Sequence, residues 1–136
     1  MGATPDPAFV EVVENAFRQF NERRFGEFAM NVTDDVVEFY PQSAERLQGR
    51  ATQLAFHEAF PVPPTFTVRN ILRDGDLAVV ETDEAYPDGS VWKTVFILEL
   101  RNGLIAKTTM YFGEPFDGPA WRKAYFTGRP MGAVNH

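Results

Sequence analysis

The sequence predicts an α+β domain with helices on one face of a mostly antiparallel sheet. Two observations carry that expectation. In the first half, apolar residues recur mostly at helical spacing. After "FPVPP" the chain changes to strand-like runs separated by short turn sequences, Asp74-Gly75-Asp76, "PDGS" and Arg101-Asn102-Gly103. Helical runs followed by runs of strands segregate into separate layers.

Each element has its own warrant. Asp6 followed by Pro7 supplies a cap oxygen and then a residue without the N–H that a first helical turn leaves unused. Phe9, Val12, Val13, Ala16, Phe17 and Phe20 then fall on one face, with Glu11, Glu14, Arg18 and Glu22 opposite, predicting a helix over about 7–23. Phe25, Phe28 and Ala29 suggest a short second helix. "TDDVVEFYPQ" reads as a strand stopped by Pro41, and "ERLQGR" as a brief partner strand with Gly49 in the turn. "ATQLAFHEAF" follows as a helix ended by Pro61. "TFTVRNILRDGDLAVVETDEAY" and "VWKTVFILELRNGLIAKTTMYF" each read as two strands joined by a tight turn, giving a four-stranded meander. "GPAWRKAYF" is expected to form a closing helix. The strand Val91–Leu100 is apolar on both faces, so one face should meet the helices and the other a second subunit.

Composition narrows the function classes. The chain has 136 residues, 44% hydrophobic and 24% charged, which predicts a single globular domain over 1–136, with its core at about 7–126 and a tail at 127–136. Thirteen Phe supply large buried areas and the walls of pockets for apolar ligands. A net charge of −6 argues against nucleic acid or an anionic membrane as partner. With no Cys, disulfides and thiolate metal sites are unavailable, and two His do not make a His-based metal cluster; no metal and no cofactor are expected. No apolar run approaches the roughly 20 residues that span a bilayer. "MGATPDPAF" lacks the basic start and apolar stretch of a signal peptide, so a cytoplasmic protein is expected.

The order of elements, with "FNERRFGEFAM" leading to "DDVVEFYP", then "LQGRATQLAFHEAF", the "RDGD" and "RNGLIAKTTMYF" hairpins and the "YFGEPFDGPAWR" exit, resembles the nuclear transport factor 2-like superfamily, and within it SnoaL-like proteins related to polyketide cyclases and ketosteroid isomerase. The resemblance covers roughly residues 7–126. It implies a curved, mostly antiparallel sheet wrapped round the N-terminal helices into a cone with an internal pocket, a cystatin-like α+β barrel. The fold hosts isomerases, cyclases, dehydratases, epoxide hydrolases and binding modules, so activity has to be argued at the site. Where ketosteroid isomerase carries an Asp-Pro general base, this chain has Tyr40-Pro41. At the positions of its two oxyanion donors stand Gln19, or a neighbouring Phe, and Phe96. That isomerase mechanism is not expected here.

The same resemblance implies which residues face the pocket: Glu38 and Tyr40 on the first strand, Trp92, Thr94, Phe96 and Leu98 on the fifth, and Thr108, Met110 and Phe112 on the last. On "LAVVETDEAY" it selects Val79, Glu81 and Asp83, leaving Val80, Thr82 and Glu84 outside. A slip of one residue would exchange the two sets. Carboxylates sharing one apolar enclosure cannot all ionise cheaply, which would supply an acid and a base at one pH. Glu81 and Asp83 are alternatively partners of Arg69, Arg73 or Lys107 across the sheet. His57 is either a proton shuttle in the pocket or a buried histidine bonded to backbone. Tyr40 either orients a substrate oxygen or belongs to the core. Glu114, set between Gly113 and Pro115, is expected to pair with Arg122 or Lys123, and Trp121 to pack over the pocket mouth.

The expected activity is cofactor-independent acid–base chemistry on an apolar carbonyl- or hydroxyl-bearing molecule: cyclisation, isomerisation, dehydration or hydrolysis. Tyr40, His57, Glu81 and Asp83 are the candidate catalytic residues, and Glu38, Trp92, Thr94, Phe96, Thr108, Met110 and Phe112 the candidate binding residues. The alternatives are a non-catalytic module for a hydrophobic ligand and a subunit whose sheet face serves assembly, as a homodimer.

Overall fold

The computed structural model describes residues 7–128. The expected cap at Asp6, most of the tail and His136 lie outside the described residues. Helix α1 spans Pro7–Asn21 and α2 spans Phe25–Phe28, followed by one 3₁₀ turn, Ala29–Asn31. Then come β1 (Val32–Tyr40), β2 (Glu45–Gln48), α3 (Arg50–Ala59), β3 (Thr65–Asp74), β4 (Leu77–Ala85), β5 (Val91–Arg101) and β6 (Leu104–Gly113). The strands form one curved sheet in the order β2-β1-β6-β5-β4-β3. Every pairing is antiparallel except β1 with β6, which is parallel.

Helix α1 buries the face its spacing predicts: Phe9, Val13, Ala16, Phe17 and Phe20 lie against the sheet. It stops two residues short of the expected end for a local reason. The side chain of Asn21 acts as a strand backbone would, donating from Nδ2 to the Phe66 carbonyl at 2.7 Å and accepting from the Phe66 N–H at 2.8 Å. Arg23 then takes a left-handed φ of 63°. Its guanidinium reaches the carbonyls of Pro63 and Pro64 at 2.8 and 2.7 Å, which fixes the proline-rich entry to β3. Gly49, with φ at 100°, makes the turn from β2 into α3, a conformation that side chains with a Cβ rarely adopt.

The core lies between α1 and the inner face of β4, β5 and β6. Val13, Val32, Val36 and Val80 are completely buried, and Ala78, Leu98, Leu100, Ile105 and Met110 complete the layer from the sheet. The period-two alternation of β4, with Ala78, Val80, Thr82 and Glu84 buried in turn, sets its inward phase.

The expected closing helix does not form. After β6 the chain makes only a 3₁₀ turn at Ala120–Arg122. Pro115, Gly118 and Pro119 interrupt the backbone ladder a longer helix would need, and no apolar face is packed. Phe116, Trp121, Tyr125 and Phe126 are 70–82% exposed, so Trp121 does not cover a pocket mouth. Glu114 is exposed, and among the described residues neither Arg122 nor Lys123 pairs with it.

Candidate functional site

The sheet curves over α1 and α3 to enclose a cavity of about 80 Å³, partly open to solvent. Its walls are mainly aromatic, with Phe17 and Phe20 from α1, Phe56 from α3 and Phe60 just past its end, Phe66 from β3 and Phe96 from β5. Phe17, Phe66 and Phe96 meet edge to face, with ring centroids 5.0–5.8 Å apart. Into this apolar space project Glu38 and Tyr40 from β1, Gln53 and His57 from α3, Glu84 from β4 and Thr108 from β6.

Glu38 is 8% exposed and has both carboxylate oxygens engaged. Gln53 Nε2 donates to Oε1 at 2.9 Å, and the Tyr40 hydroxyl donates to Oε2. Two residues apart on β1, Glu38 and Tyr40 share the inner face. Burial, and after it the Glu38 carboxylate, push the Tyr40 phenol above its usual range, so it keeps its proton. Gln53 faces Glu38 because α3 packs its buried side on β1.

Glu84 is a second buried carboxyl, 5% exposed, in a different setting. Among the described residues, its hydrogen-bond donor is the Tyr86 hydroxyl at 3.2 Å. Burial raises its pKa, and the Tyr86 bond offsets that only in part. The Tyr40 phenol feels the charge of both carboxyls, Glu38 more strongly. The two acids therefore face one cavity with different hydrogen-bond partners.

His57 stands one helical turn beyond Gln53. Rings of Phe20, Phe25, Phe28 and Phe56 surround it, with centroids 4.8–5.9 Å away. Burial alone lowers its pKa to about 4, so the ring is neutral at neutral pH. Its Nδ1 is buried without a hydrogen-bond partner among the described residues.

The structure corrects the inward phase of β4. Glu81 and Asp83 point to the outer face, and Thr82 and Glu84 point inward. Asp83 accepts from Arg69 at 2.7 Å and Lys93 at 2.9 Å; burial works to raise its pKa, but these two cations hold it below the usual range. Asn70 donates to Glu81 at 3.1 Å. A bulge between Val68 and Asn70 in β3 accompanies this arrangement. Of the expected binding residues, Glu38, Phe96, Thr108 and Met110 line the cavity. Thr94 is buried, but its hydroxyl is taken up by Thr82 opposite. Trp92 and Phe112 sit beyond the lining: Phe112 meets Tyr40 edge to face at a centroid distance of 5.8 Å, and Trp92 lies tilted against Phe112 at 6.0 Å. Gln19, at one oxyanion position of the isomerase pattern, accepts from Asn31 at 2.7 Å and does not line the cavity.

No helix among the described residues is long and apolar enough to cross a membrane. No protein of curated function matches the chain significantly. Among solved structures, an NTF-2 like protein of unknown function from Burkholderia xenovorans LB400 is 32% identical, with a TM-score of 0.81 over 90% of this chain and 95% of that one. A "putative ketosteroid isomerase" from Kribbella flavida DSM 17836 is 29% identical, with a TM-score of 0.83 over 92% of each chain. An NTF2-like protein of unknown function from Cytophaga hutchinsonii ATCC 33406, at 14% identity and a TM-score of 0.69 over 83% of this chain and 95% of that one, shares the fold. The SnoaL-like domain family matches residues 13–108, the span that contains Glu38, Tyr40, Gln53, His57, Glu84 and Thr108. The chain belongs to the SnoaL-like family of the NTF2-like superfamily.

Proposed function

We propose that the protein is a cofactor-independent acid–base enzyme that moves a proton next to a carbonyl on a small apolar molecule. The observation that carries this reading is the pair of buried carboxyls, Glu38 and Glu84, facing one phenylalanine-lined cavity with different hydrogen-bond partners. Glu38 is fixed by Tyr40 and Gln53 and retains lone pairs for a substrate proton. Glu84, which burial favours in its neutral form, donates to the substrate oxygen. Glu38 takes the proton from the carbon beside the carbonyl, the C–H electrons pass to the oxygen, and the resulting enol is held by Glu84. Return of that proton from Glu38 to a further carbon of a conjugated enol, with Glu84 regaining its own, isomerises the substrate; passing it instead to a β-hydroxyl, which leaves as water, dehydrates it.

Tyr40 orients Glu38 in this scheme and is not itself the base. Glu81 and Asp83 have no part in it. Resemblance to a Kribbella protein named as an isomerase agrees with the chemistry and supplies no substrate. The second reading, a module that only holds a hydrophobic ligand, is favoured by one observation: the Tyr40 proton is already committed to Glu38. The outer face of β5 is where a homodimer would form, since Val95 and Ile97 remain partly exposed there beside Tyr111.

The test is deuterium uptake by cyclohexanone in D₂O, followed by NMR. The native protein should speed exchange at the carbons next to the carbonyl, and Glu38→Gln should lose about 10²-fold or more of that acceleration. Exchange no faster than with buffer, or unchanged in Glu38→Gln, would leave the ligand-binding reading.

A further inference from the structure

Glu84 repeats an arrangement already present at Glu38. In Glu38-Phe39-Tyr40 and again in Glu84-Ala85-Tyr86, a glutamate is followed two residues later by a tyrosine, and strand geometry turns both side chains to one face. In each case the phenol donates to the carboxyl behind it, Tyr40 to Glu38 and Tyr86 to Glu84 Oε2 at 3.2 Å. β1 runs parallel to β6, and β6 is two antiparallel steps from β4, so β1 and β4 point the same way. Both tyrosines therefore stand at the same end of the sheet, where Tyr40 also feels the charge of Glu84.

Tyr40 already has a part, orienting the base. Tyr86 has none, and its loop holds it firmly in place. The Tyr86 N–H donates to the Ser90 carbonyl at 2.9 Å, and the Tyr86 carbonyl accepts from the Gly89 N–H at 3.0 Å. Inside the loop, Asp88 accepts from the Ser90 N–H at 2.8 Å and from the Ser90 hydroxyl at 2.6 Å, while Gly89 takes a φ of 92°.

We propose that Tyr86 is a positioning residue that decides which oxygen of Glu84 carries the acid proton. Use of that proton rests on the acid–base reading; its placement does not. In a neutral carboxylic acid the carbonyl oxygen is the better acceptor, so the oxygen that takes the phenol's hydrogen bond is the one without the proton. Tyr86 occupies Oε2, and the proton sits on Oε1, which meets no partner among the described residues. Glu84 lines the cavity, so Oε1 is the oxygen left to meet a substrate there. Without Tyr86 nothing distinguishes the two oxygens, and the carboxyl is free to turn. Burial and then the Glu84 charge push the Tyr86 phenol up to about 12, so it stays a donor at working pH. Once Glu84 has given its proton away, the same bond stabilises the carboxylate and makes Glu84 a stronger acid than burial alone would. The groups that titrate around it are Glu38 and Tyr40 from β1, His57 from α3 and, beyond Tyr86, Asp88. Phe66 and Trp92, opposite Glu84 on β3 and β5, carry no charge, and α1 and β6 bring no titratable side chain to the cavity.

The experiment is a pH titration of protein labelled with ¹³C at the glutamate carboxyls and the tyrosine Cζ, native and Tyr86→Phe. In the native protein Tyr86 Cζ should shift at the midpoint of the Glu84 carboxyl. Both resonances are assigned through bonds, so this readout needs no variant to fold. In Tyr86→Phe the Glu84 midpoint should lie at higher pH, because a bond that favoured the carboxylate is gone. Deuterium uptake by cyclohexanone, followed against pH in the same two proteins, should fall about tenfold at its maximum in Tyr86→Phe and persist to higher pH. A Tyr86 Cζ that ignores Glu84, a Glu84 midpoint unchanged or lowered in Tyr86→Phe, or a native exchange profile that Tyr86→Phe reproduces in height and limb overturns the proposal. Native protein that exchanges no deuterium while Tyr86 and Glu84 titrate together refutes the acid–base reading and leaves the proton placement standing. Exchange with a Tyr86 that ignores Glu84 does the reverse.

Discussion

Replacing His57 by Leu should flatten the acid limb of the protein's stability profile. The folded ring has its pKa lowered by burial to about 4, against 6.5 for an ordinary histidine. Between those values the unfolded chain binds a proton that the folded chain does not, so stability rises with pH there and is lost as pH falls. A gap of roughly 2.5 units at about 1.4 kcal/mol each amounts to about 3 kcal/mol, of which about 2 kcal/mol is already gone at pH 5. Glu84 opposes this trend: its raised pKa adds stability in acid that is lost as pH rises through its folded value. The assay is therefore a double difference, in which urea unfolding is measured from pH 4 to 7.5 for the native protein and His57→Leu. Glu84 is common to both and cancels. The two curves should diverge through pH 6 and stand apart by roughly 2 kcal/mol more at pH 5 than at pH 7.5. Parallel curves would refute the argument, because they would mean that His57 is charged when folded or already open to water.

Three further outcomes follow from individual contacts. Gln53→Leu removes one of the two donors on Glu38 and should cost about 1–3 kcal/mol of unfolding free energy in urea titrations at neutral pH; a neutral result would mean that water or Thr108 takes over. Asp83→Asn breaks its ion pairs with Arg69 and Lys93 on the outer face, and should change stability by less than about 1 kcal/mol and leave ketone deuterium exchange at the native rate. A large loss of exchange would return Asp83 to the site. Gly49→Ala puts a Cβ on a backbone with φ at 100° and should destabilise by about 1–3 kcal/mol, read as a drop in urea midpoint, although the added methyl meets only Thr52 Oγ1 at 3.7 Å.

Most of the fold was legible because its signals are local. The helical spacing of Phe9 to Phe20, the Gly-containing turns at Gly75 and Gly103 and the stop at Pro41 each act over a few residues. The β4 error had a different origin. Facing residues in an antiparallel pair share a side of the sheet, so the inward phase of β4 follows from that of β5 once the hairpin is known. The loop is Tyr86–Ser90, with Ala85 facing Val91, which sets Thr82 opposite Thr94 and Glu84 opposite Trp92. The inward assignment of Thr94 and Phe96 thus already required Thr82 and Val80 inside. "AYPDGSV" left the loop length ambiguous, and one residue exchanged Glu84 for Asp83. Gln53 was visible as a neighbour of His57 on its helix, but its bond to Glu38 spans fifteen positions and depends on how α3 lies across β1. The closing segment failed for the opposite reason: its aromatic content suggested packing, while its prolines and glycines prevented the helix that packing required.

The parallel joint between β1 and β6 has a consequence for how the protein is made. Glu38, Tyr40, Gln53 and His57 lie early in the chain and Glu84 later, and β6 is the strand that lies between β1 and β5 in the sheet. As the chain emerges from the ribosome, β3, β4 and β5 can pair with their immediate neighbours. β1 and β2 have no strand of that meander to join until residues 104–113 have been added. Pairings between such distant segments form slowly. During that interval the phenylalanines of α1 and α3 await the sheet that will cover them, and the nascent protein exposes an apolar surface that favours a chaperone. A chain released before β6 would lack Thr108, and its Glu38, Tyr40, Gln53 and His57 would sit on elements not yet joined to the strands that hold Glu84.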